Sequence, residues 1–228
     1  MSRKLKTHSN VILYRLLTFF FHHLYHTFAW LYDWVAWVVS FGQWKKWGET
    51  SLSYCHGEKV LDMGCGPGHV SACLIRSGYK VFGLDESWQM TRIYYRNIKK
   101  NTSPAISRGK SQNTPFVTSF FDCIVSTFPT NDIFDPNTIQ ETYRILTPDG
   151  TLVILLGIKI TETNLPYKIL SRLYQFTGES VDESKVFANY KNRIQSHAPY
   201  KVVGQLHDFK NIRLLYLICK KAENENTK

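Results

Sequence analysis

The sequence predicts an α/β protein built on a largely parallel, doubly wound sheet. The stretch 60–63 has the character of a buried strand and leads directly into the glycine-rich loop 64–68. A second apolar run, 80–84, ends on Asp85, which follows the loop by about 20 residues. An acid at that place can accept hydrogen bonds from ribose hydroxyls, because ligands of open α/β sheets sit outside the carboxyl ends of the strands. The order of strand, glycine loop, helix, strand and acid therefore predicts a nucleotide-like cofactor.

The loop has a glycine at every second position, Gly64, Gly66 and Gly68. Glycine is needed where φ is positive, or where a ligand comes so close that a Cβ would collide with it. A dinucleotide-binding fingerprint would place its third glycine at position 69, where this chain has His69. An NAD-dependent dehydrogenase is therefore the weaker alternative for this loop.

The glycine spacing resembles that of the class I S-adenosylmethionine-dependent methyltransferases, and residues 85–90 resemble the D-x-S-x-x-M pattern of that family. In the family, the serine caps the next helix and the methionine packs on the adenine, which here implicates Ser87 and Met90. The alternative is that Met90 is a simple core residue and that Asp85 and Ser87 only form a helix start. The residues that the resemblance implies for cofactor binding are Asp62, Gly64, Cys65, Gly66, Gly68, Asp85, Glu86, Met90, Gln112 and Thr127.

The resemblance extends over about 57–158 and implies a Rossmann-like, seven-stranded sheet with an antiparallel last strand. Continuous apolar runs, typical of strands buried on both faces, predict the fourth strand at 121–128 and the fifth at 150–157. Between them we expect a helix capped by Asp135, begun by Pro136 and ended by residues 147–150.

The end of the chain is predicted to contain a helix around 167–176 and two further strands. These strands are expected near 201–207 and 212–220, and the family pattern places the last one antiparallel beside the fifth.

Two segments depart from the family pattern. Residues 106–112 contain no acid, and Lys110 or Gln112 stands where the family often has an aspartate. Adenine recognition is therefore expected to rest on backbone groups, Gln112 or apolar packing. Residues 127–130 lack the Asn/Asp-Pro-Pro-aromatic sequence of amide and adenine N-methyltransferases, which disfavours those substrates. Phe128 is expected to line the pocket, and Pro129 fits a turn equally well.

Composition limits the remaining alternatives. The 228 residues, 43% of them hydrophobic, suffice for one domain of this fold with extra elements. Five scattered cysteines without metal-ligand spacing favour a reducing, cytoplasmic compartment and no metal site. A net charge of +10 favours anionic partners, but the charge is spread along the chain, so nucleic acid is not favoured.

The N-terminal segment differs from the rest because it is crowded with aromatic residues. We divide the chain into an aromatic helical segment at 1–47, a methyltransferase domain at 48–220 and a frayed tail at 221–228. Charged residues and histidines interrupt the first segment, so a transmembrane span is not expected. A signal peptide is not expected either, because the segment has no small-residue cleavage site and export would separate the protein from its cofactor. Its helices are expected to cap the cofactor cleft, to contact a membrane peripherally through 11–47, or to do both.

The sequence thus predicts an S-adenosylmethionine-dependent methyltransferase for a small or lipophilic acceptor, with S-adenosylhomocysteine as its product. The alternative is a non-catalytic cofactor-binding or membrane-associated scaffold of the same fold. Methyl transfer rests mainly on positioning, so no catalytic residue is assigned. If a base is needed, His26, Asp33 and His69 lie nearest the expected cleft. The acceptor, its reacting atom and the oligomeric state stay open.

Overall fold

A computed structural model describes residues 42–99, 102–103, 105–161 and 183–221. The predicted helix at 167–176 and nearly all of the N-terminal segment lie outside these residues. Within them, no helix is both long and apolar enough to cross a bilayer.

Seven strands form a single sheet in the order β3-β2-β1-β4-β5-β7-β6. Strands β3, β2, β1, β4 and β5 run parallel to one another. Strand β7 runs antiparallel to both β5 and β6. This order confirms the predicted seven-stranded sheet with an antiparallel last strand. The strands are β1 Lys59–Met63, β2 Lys80–Asp85, β3 Ile106–Arg108, β4 Phe121–Thr127, β5 Leu146–Ile160, β6 Tyr200–Phe209 and β7 Ile212–Lys221.

Helices cover both faces of the sheet. Successive side chains of a strand point to opposite faces, so each strand contributes apolar side chains to two clusters. Val60 packs in a core cluster with Trp47 and Val70, whereas its neighbour Leu61 packs in a second cluster with Ile139 and Ile194. The described helices are α1 Trp44–Glu49, α2 His69–Arg76, α3 Trp88–Ile98, α4 Pro136–Ile145 and α5 Glu183–Gln195, with short 3-10 turns at Thr50–Tyr54 and Asn131–Phe134.

The helix starts follow the predicted capping chemistry. The Asp135 carboxylate accepts a hydrogen bond from the backbone N–H of Asn137 at 2.9 Å, and Pro136 is the first residue of α4. The Ser87 hydroxyl accepts a hydrogen bond from the backbone N–H of Met90 at the start of α3.

The fifth strand begins earlier than predicted. It pairs with β4 from Leu146 onward, but the register shifts before Thr151 pairs with Cys123. Residues 147–150 therefore end α4 as predicted and also belong to β5. Asp149 has a φ of +63°. The backbone of this stretch is therefore irregular, as in a turn, although the stretch belongs to the strand.

Candidate cofactor site

The glycine loop lies at the carboxyl end of β1, and its three glycines all have positive φ values: +72° at Gly64, +51° at Gly66 and +85° at Gly68. A Cβ added at Gly64 or Gly66 would meet no atom within 4 Å. A Cβ at Gly68 would lie 2.7 Å from a ring carbon of Tyr94. The first two glycines therefore keep space open beside the backbone, and the third permits close packing of α3.

Backbone hydrogen bonds fix the loop against the end of β2. The N–H groups of Gly64 and Cys65 both donate to the carbonyl of Leu84, at 2.8 and 3.1 Å. Burial and the nearby carboxylates of Asp62 and Asp85 raise the pKa of the Cys65 thiol well above its usual value. Cys65 is therefore a neutral, packed side chain and not a reactive thiol.

Asp85 connects the loop to α3. One of its carboxylate oxygens accepts a hydrogen bond from the Gly66 N–H at 2.9 Å, and the other accepts one from the Ser87 N–H at 2.8 Å. The residue is almost fully buried. Its role as a ribose anchor stays a prediction. The geometry adds a structural role, because Asp85 fixes the loop and the start of α3 relative to each other.

Asp62 lies beneath the loop and fixes α2. Its carboxylate accepts hydrogen bonds from both the N–H and the hydroxyl of Ser71, at 3.0 and 2.6 Å. Burial raises the pKa of Asp62 to about 6, while these hydrogen bonds and the neighbouring His69 act in the opposite direction. Ser71 was not singled out from the sequence, since its position nine residues later acquires meaning only when α2 folds back over β1.

Three predicted residues on the adenine side have different environments. Met90 is completely enclosed and packs as a core residue, so its predicted contact with adenine would require a local opening. Glu86 is exposed, and its carboxylate lies 3.7 Å from the Lys110 ammonium group. Gln112 is half-buried beside Ser111, whose hydroxyl also lies 3.1 Å from that of Thr138.

Tyr94 was also not predicted from the sequence, although its ring packs closely against Gly68 of the glycine loop. A Cβ at Gly83 would lie 2.9 Å from the end of the Tyr94 ring, and Gly68 makes a similar approach. Both glycines therefore make room for one buried aromatic ring. A glycine within a strand marks such a close approach, so Gly83 was a usable signal.

The loop after β4 carries an aromatic contact to the N-terminal part of the chain. Thr127 ends β4, and Phe128 follows with a φ of +49°, held by a hydrogen bond from its N–H to the Leu155 carbonyl. The Phe128 ring stacks on Trp44, with centroids 3.9 Å apart, and Trp47 lies 6.3 Å away. Part of the predicted N-terminal segment therefore packs beside the carboxyl end of β4.

These features suit S-adenosylmethionine better than a metal. The ends of β1, β2 and β4 bring open glycine backbone, a buried carboxylate and an aromatic loop to one edge of the sheet. Among the described residues, no group of three or more His, Cys, Asp or Glu side chains could hold a metal ion.

Comparison with known proteins agrees with this geometry. Residues 60–150 match the model of a family described as a methyltransferase domain. A putative S-adenosylmethionine-dependent methyltransferase from Methanococcus maripaludis has the same fold, with a TM-score of 0.65, 20% identity, and coverage of 87% of this chain and 94% of that one. Residues 60–150 therefore match a methyltransferase domain, and the described residues have the fold of an S-adenosylmethionine-dependent methyltransferase. A phosphoethanolamine methyltransferase structure from Haemonchus contortus shares the methyltransferase fold at a TM-score of 0.55 and 14% identity, over 80% of this chain and 53% of that one.

Curated relatives of this chain include three proteins named demethylmenaquinone methyltransferase. The Symbiobacterium thermophilum protein is 28% identical over 56% of this chain, and the Geobacillus protein is 28% identical over 68% of it. The Lactobacillus johnsonii protein is 25% identical over 84% of this chain. The aligned regions span 55%, 68% and 85% of these three relatives, respectively.

Proposed function

We propose that this chain transfers the methyl group of S-adenosylmethionine to a small lipophilic acceptor, with a quinone-type ring as the first candidate. The observation that carries the proposal is the open space at Gly64 and Gly66 beside the buried Asp85. The choice of acceptor is supported by relatives named demethylmenaquinone methyltransferase.

Positioning is the main task of the chain's own residues in this reaction. When bound, S-adenosylmethionine supplies a methyl group on a positively charged sulfur. The backbone of Gly64 and Gly66 borders the bound cofactor without side chains in the way, and Asp85 orients its ribose. Thr127 and Phe128, at the end of β4, border the space where the acceptor approaches. No residue is assigned as a general base.

The stacked rings of Trp44 and Phe128 are proposed as one wall of the acceptor pocket. Their centroids are 3.9 Å apart and their planes differ by 26°, so they present a rigid apolar surface. Such a surface excludes water and suits a planar ring. Aromatic faces near a sulfonium group also favour its positive charge.

A non-catalytic scaffold is the second candidate, because the adenine side of the site is basic. Lys110 and Arg108 stand at the end of β3, where the Arg108 side chain donates a hydrogen bond to the Glu86 carbonyl at 3.0 Å. An acid that would accept the adenine amino group is absent from 106–112. Weak cofactor binding without turnover would favour this candidate.

The proposal includes a cytoplasmic location with peripheral membrane contact through residues 11–47. A lipophilic acceptor partitions into a bilayer, so an enzyme that acts on it gains by residing at the membrane surface. The segment combines Trp and Tyr side chains with basic residues, as interfacial helices do.

The test is transfer of labelled methyl from S-adenosylmethionine to a demethylated naphthoquinol, with RNA and a glutamine-containing peptide as comparison acceptors. We expect label in the quinol alone and a raised KM for the quinol in a Trp44→Ala variant. Binding of S-adenosylhomocysteine without label in any acceptor would favour the scaffold. Label in RNA or peptide would contradict the assignment of the acceptor.

A further inference from the structure

The exposed side of α3 has an unusual composition. Trp88 and Tyr95 are 55% and 49% exposed, although both are large aromatic residues. Arg92, Arg96 and Lys99 are exposed as well, and Lys99 is the C-cap of the helix. With about 3.6 residues per turn, the five residues fall within an arc of about 100°. We call this surface, formed by Trp88, Arg92, Tyr95, Arg96 and Lys99, the α3 face.

Each aromatic ring of the α3 face carries a cation one turn away. The Arg92 guanidinium lies 5.6 Å from the Trp88 ring centroid, and the Lys99 ammonium lies 5.7 Å from the Tyr95 ring centroid. The helix contains no acidic residue between Trp88 and Ile98. The face is therefore both cationic and aromatic along the whole helix, and its opposite side is buried through Met90, Tyr94 and Ile98.

The neighbouring strand continues this positive surface. β3 packs against α3 and ends on exposed Arg108, and exposed Lys110 follows. Glu86 is an acidic residue beside this positive surface, and its carboxylate lies 3.7 Å from Lys110 in an exposed ion pair. Net positive charge therefore remains along the helix.

We propose that the α3 face binds the anionic surface of a lipid bilayer. Trp and Tyr side chains favour the headgroup layer, where the ring is apolar and its polar tip stays hydrated. Arg and Lys beside them interact with anionic lipid headgroups. Single-stranded nucleic acid fits less well, because it stacks its bases on open aromatic faces and here each ring has a cation over it.

This contact would place the rim of the cofactor site near the lipid. Ser87 caps the start of α3, and its N–H donates a hydrogen bond to the Asp85 carboxylate in the site. A lipophilic acceptor leaving the bilayer would then travel only a short distance. The inference rests on the membrane location proposed above and adds a contact that is separate from residues 11–47.

The experiment is flotation of the full-length chain with vesicles of phosphatidylcholine alone or mixed with phosphatidylglycerol. One variant removes the cations of the α3 face, Arg92→Gln, Arg96→Gln and Lys99→Gln, and another removes its rings, Trp88→Ala and Tyr95→Ala. The control removes the same charge from exposed positions on α5, β6 and β7, Lys191→Gln, Lys201→Gln and Lys220→Gln. S-adenosylhomocysteine affinity, measured on every protein, reports whether the fold is intact.

We expect the unmodified chain to float with phosphatidylglycerol vesicles. The charge variant should lose roughly 100-fold in partitioning, and the ring variant should lose on the order of 10-fold. The control should lose much less than either. Flotation of the charge variant equal to that of the control would overturn the α3 contact and leave the membrane location standing.

Two further results would be decisive. A full-length chain that floats with neither type of vesicle would overturn both the membrane location and the α3 contact. The methyl-transfer assay is a separate measurement, and its result would still decide the proposed activity. A charge variant that keeps vesicle binding but loses binding to single-stranded RNA would assign the face to nucleic acid.

Discussion

Among single residues, two glycines share a backbone conformation, but only one of them lies at the cofactor site. Gly66 and Gly78 both have positive φ and open space at the Cβ position, but Gly78 lies in the turn after α2 and away from the site. Alanine at either position is expected to cost about 1–2 kcal/mol of unfolding free energy, because an L-residue is strained there.

Only the Gly66→Ala variant should also lose affinity for S-adenosylhomocysteine, since only its new methyl group would enter the space left for the cofactor. Urea unfolding and calorimetric titration of both variants measure the two effects. Equal affinity in the Gly66→Ala and Gly78→Ala proteins would show that the open space does not hold the cofactor.

The buried carboxylate of Asp62 gives a prediction for pH. Burial raises its folded-state pKa to about 6 from the usual 3.8, so the folded protein binds the proton more tightly than the unfolded chain. Stability from this group is therefore fully present below about pH 4 and is lost as the pH rises through about 6. The loss at neutral pH is on the order of 3 kcal/mol, since one pKa unit corresponds to about 1.4 kcal/mol.

An Asp62→Asn variant keeps an oxygen that can accept hydrogen bonds from Ser71 and removes the ionisation. We expect its unfolding free energy relative to the unmodified protein to increase between about pH 4 and pH 6 and then to level off. Urea unfolding of both proteins across this range measures the difference. A difference independent of pH would mean that the pKa of Asp62 is the same in the folded protein and in the unfolded chain.

The positive φ of Phe128 predicts an order of stability between two variants. Both Phe128→Gly and Phe128→Ala remove the stack on Trp44, but only glycine adopts a φ of +49° without strain. The glycine variant should therefore be more stable than the alanine variant by about 1 kcal/mol. Thermal unfolding compares the two, and an alanine variant of equal or greater stability would show that this loop relaxes without cost.

Sequence alone predicted the residues whose chemistry is local. The glycines lie in one short motif, and Asp85 and Ser87 lie in a second about 20 residues later, so spacing along the chain carries the information. The stack of Trp44 on Phe128 joins positions far apart in the chain, so no local pattern could indicate it. Ser71 was missed for a similar reason, since its partner Asp62 is defined by how α2 packs over β1. Tyr94 was missed although Gly83, a glycine within a strand, signals the close approach of another group.

Among the elements, the loop before β4 is attached to α4 by one buried carboxylate. Glu141 accepts hydrogen bonds from the Thr114 N–H and hydroxyl at 2.8 and 2.6 Å, and from Arg144 at 2.7 Å. Arg144 also donates to the Phe116 carbonyl at 2.8 Å. Burial tends to raise the pKa of Glu141, but the bonds from Arg144 and Thr114 outweigh it and lower this pKa. The same loop carries Gln112.

Replacing Arg144 by lysine should cost about 2 kcal/mol of unfolding free energy, because lysine lacks the planar fork that bonds Glu141 and Phe116 together. The matched control is Arg213→Lys, which alters an ion pair with Asp208 of the same 2.7 Å length at a more exposed site. The control should cost less than the Arg144→Lys change, because solvent screens an exposed ion pair. Denaturant unfolding compares them, and equal losses would mean that burial adds nothing to the Glu141 interaction.

Element boundaries were predictable where capping chemistry marks them. Asp135 and Pro136 fixed the start of α4 because a carboxylate cap and a first-position proline act locally. The early start of β5 was not predictable, since Leu146 joins the strand by pairing with Phe121 across a register shift. Such pairing depends on the neighbouring strand and leaves no periodic signal.

For the whole molecule, the apolar runs predicted strands, but they did not by themselves fix the order β3-β2-β1-β4-β5-β7-β6. Runs buried on both faces have the same sequence character wherever they lie in a sheet. The resemblance to a family predicted only seven strands with the last one antiparallel beside the fifth, and the full order is a finding of the structure. The net charge of +10 likewise indicated an anionic partner without placing it. Placement needed the structure, which gathers three cations and two exposed rings on the α3 face.

We propose that the loop 64–68 and Asp85 hold S-adenosylmethionine. Calorimetric titration of the purified chain with S-adenosylhomocysteine, beside NAD and beside an Asp85→Ala variant, tests this cofactor site. We expect saturable binding of S-adenosylhomocysteine, no binding of NAD, and loss of binding in the variant. No binding of S-adenosylhomocysteine at millimolar concentration, or undiminished binding to the Asp85→Ala variant, would contradict it.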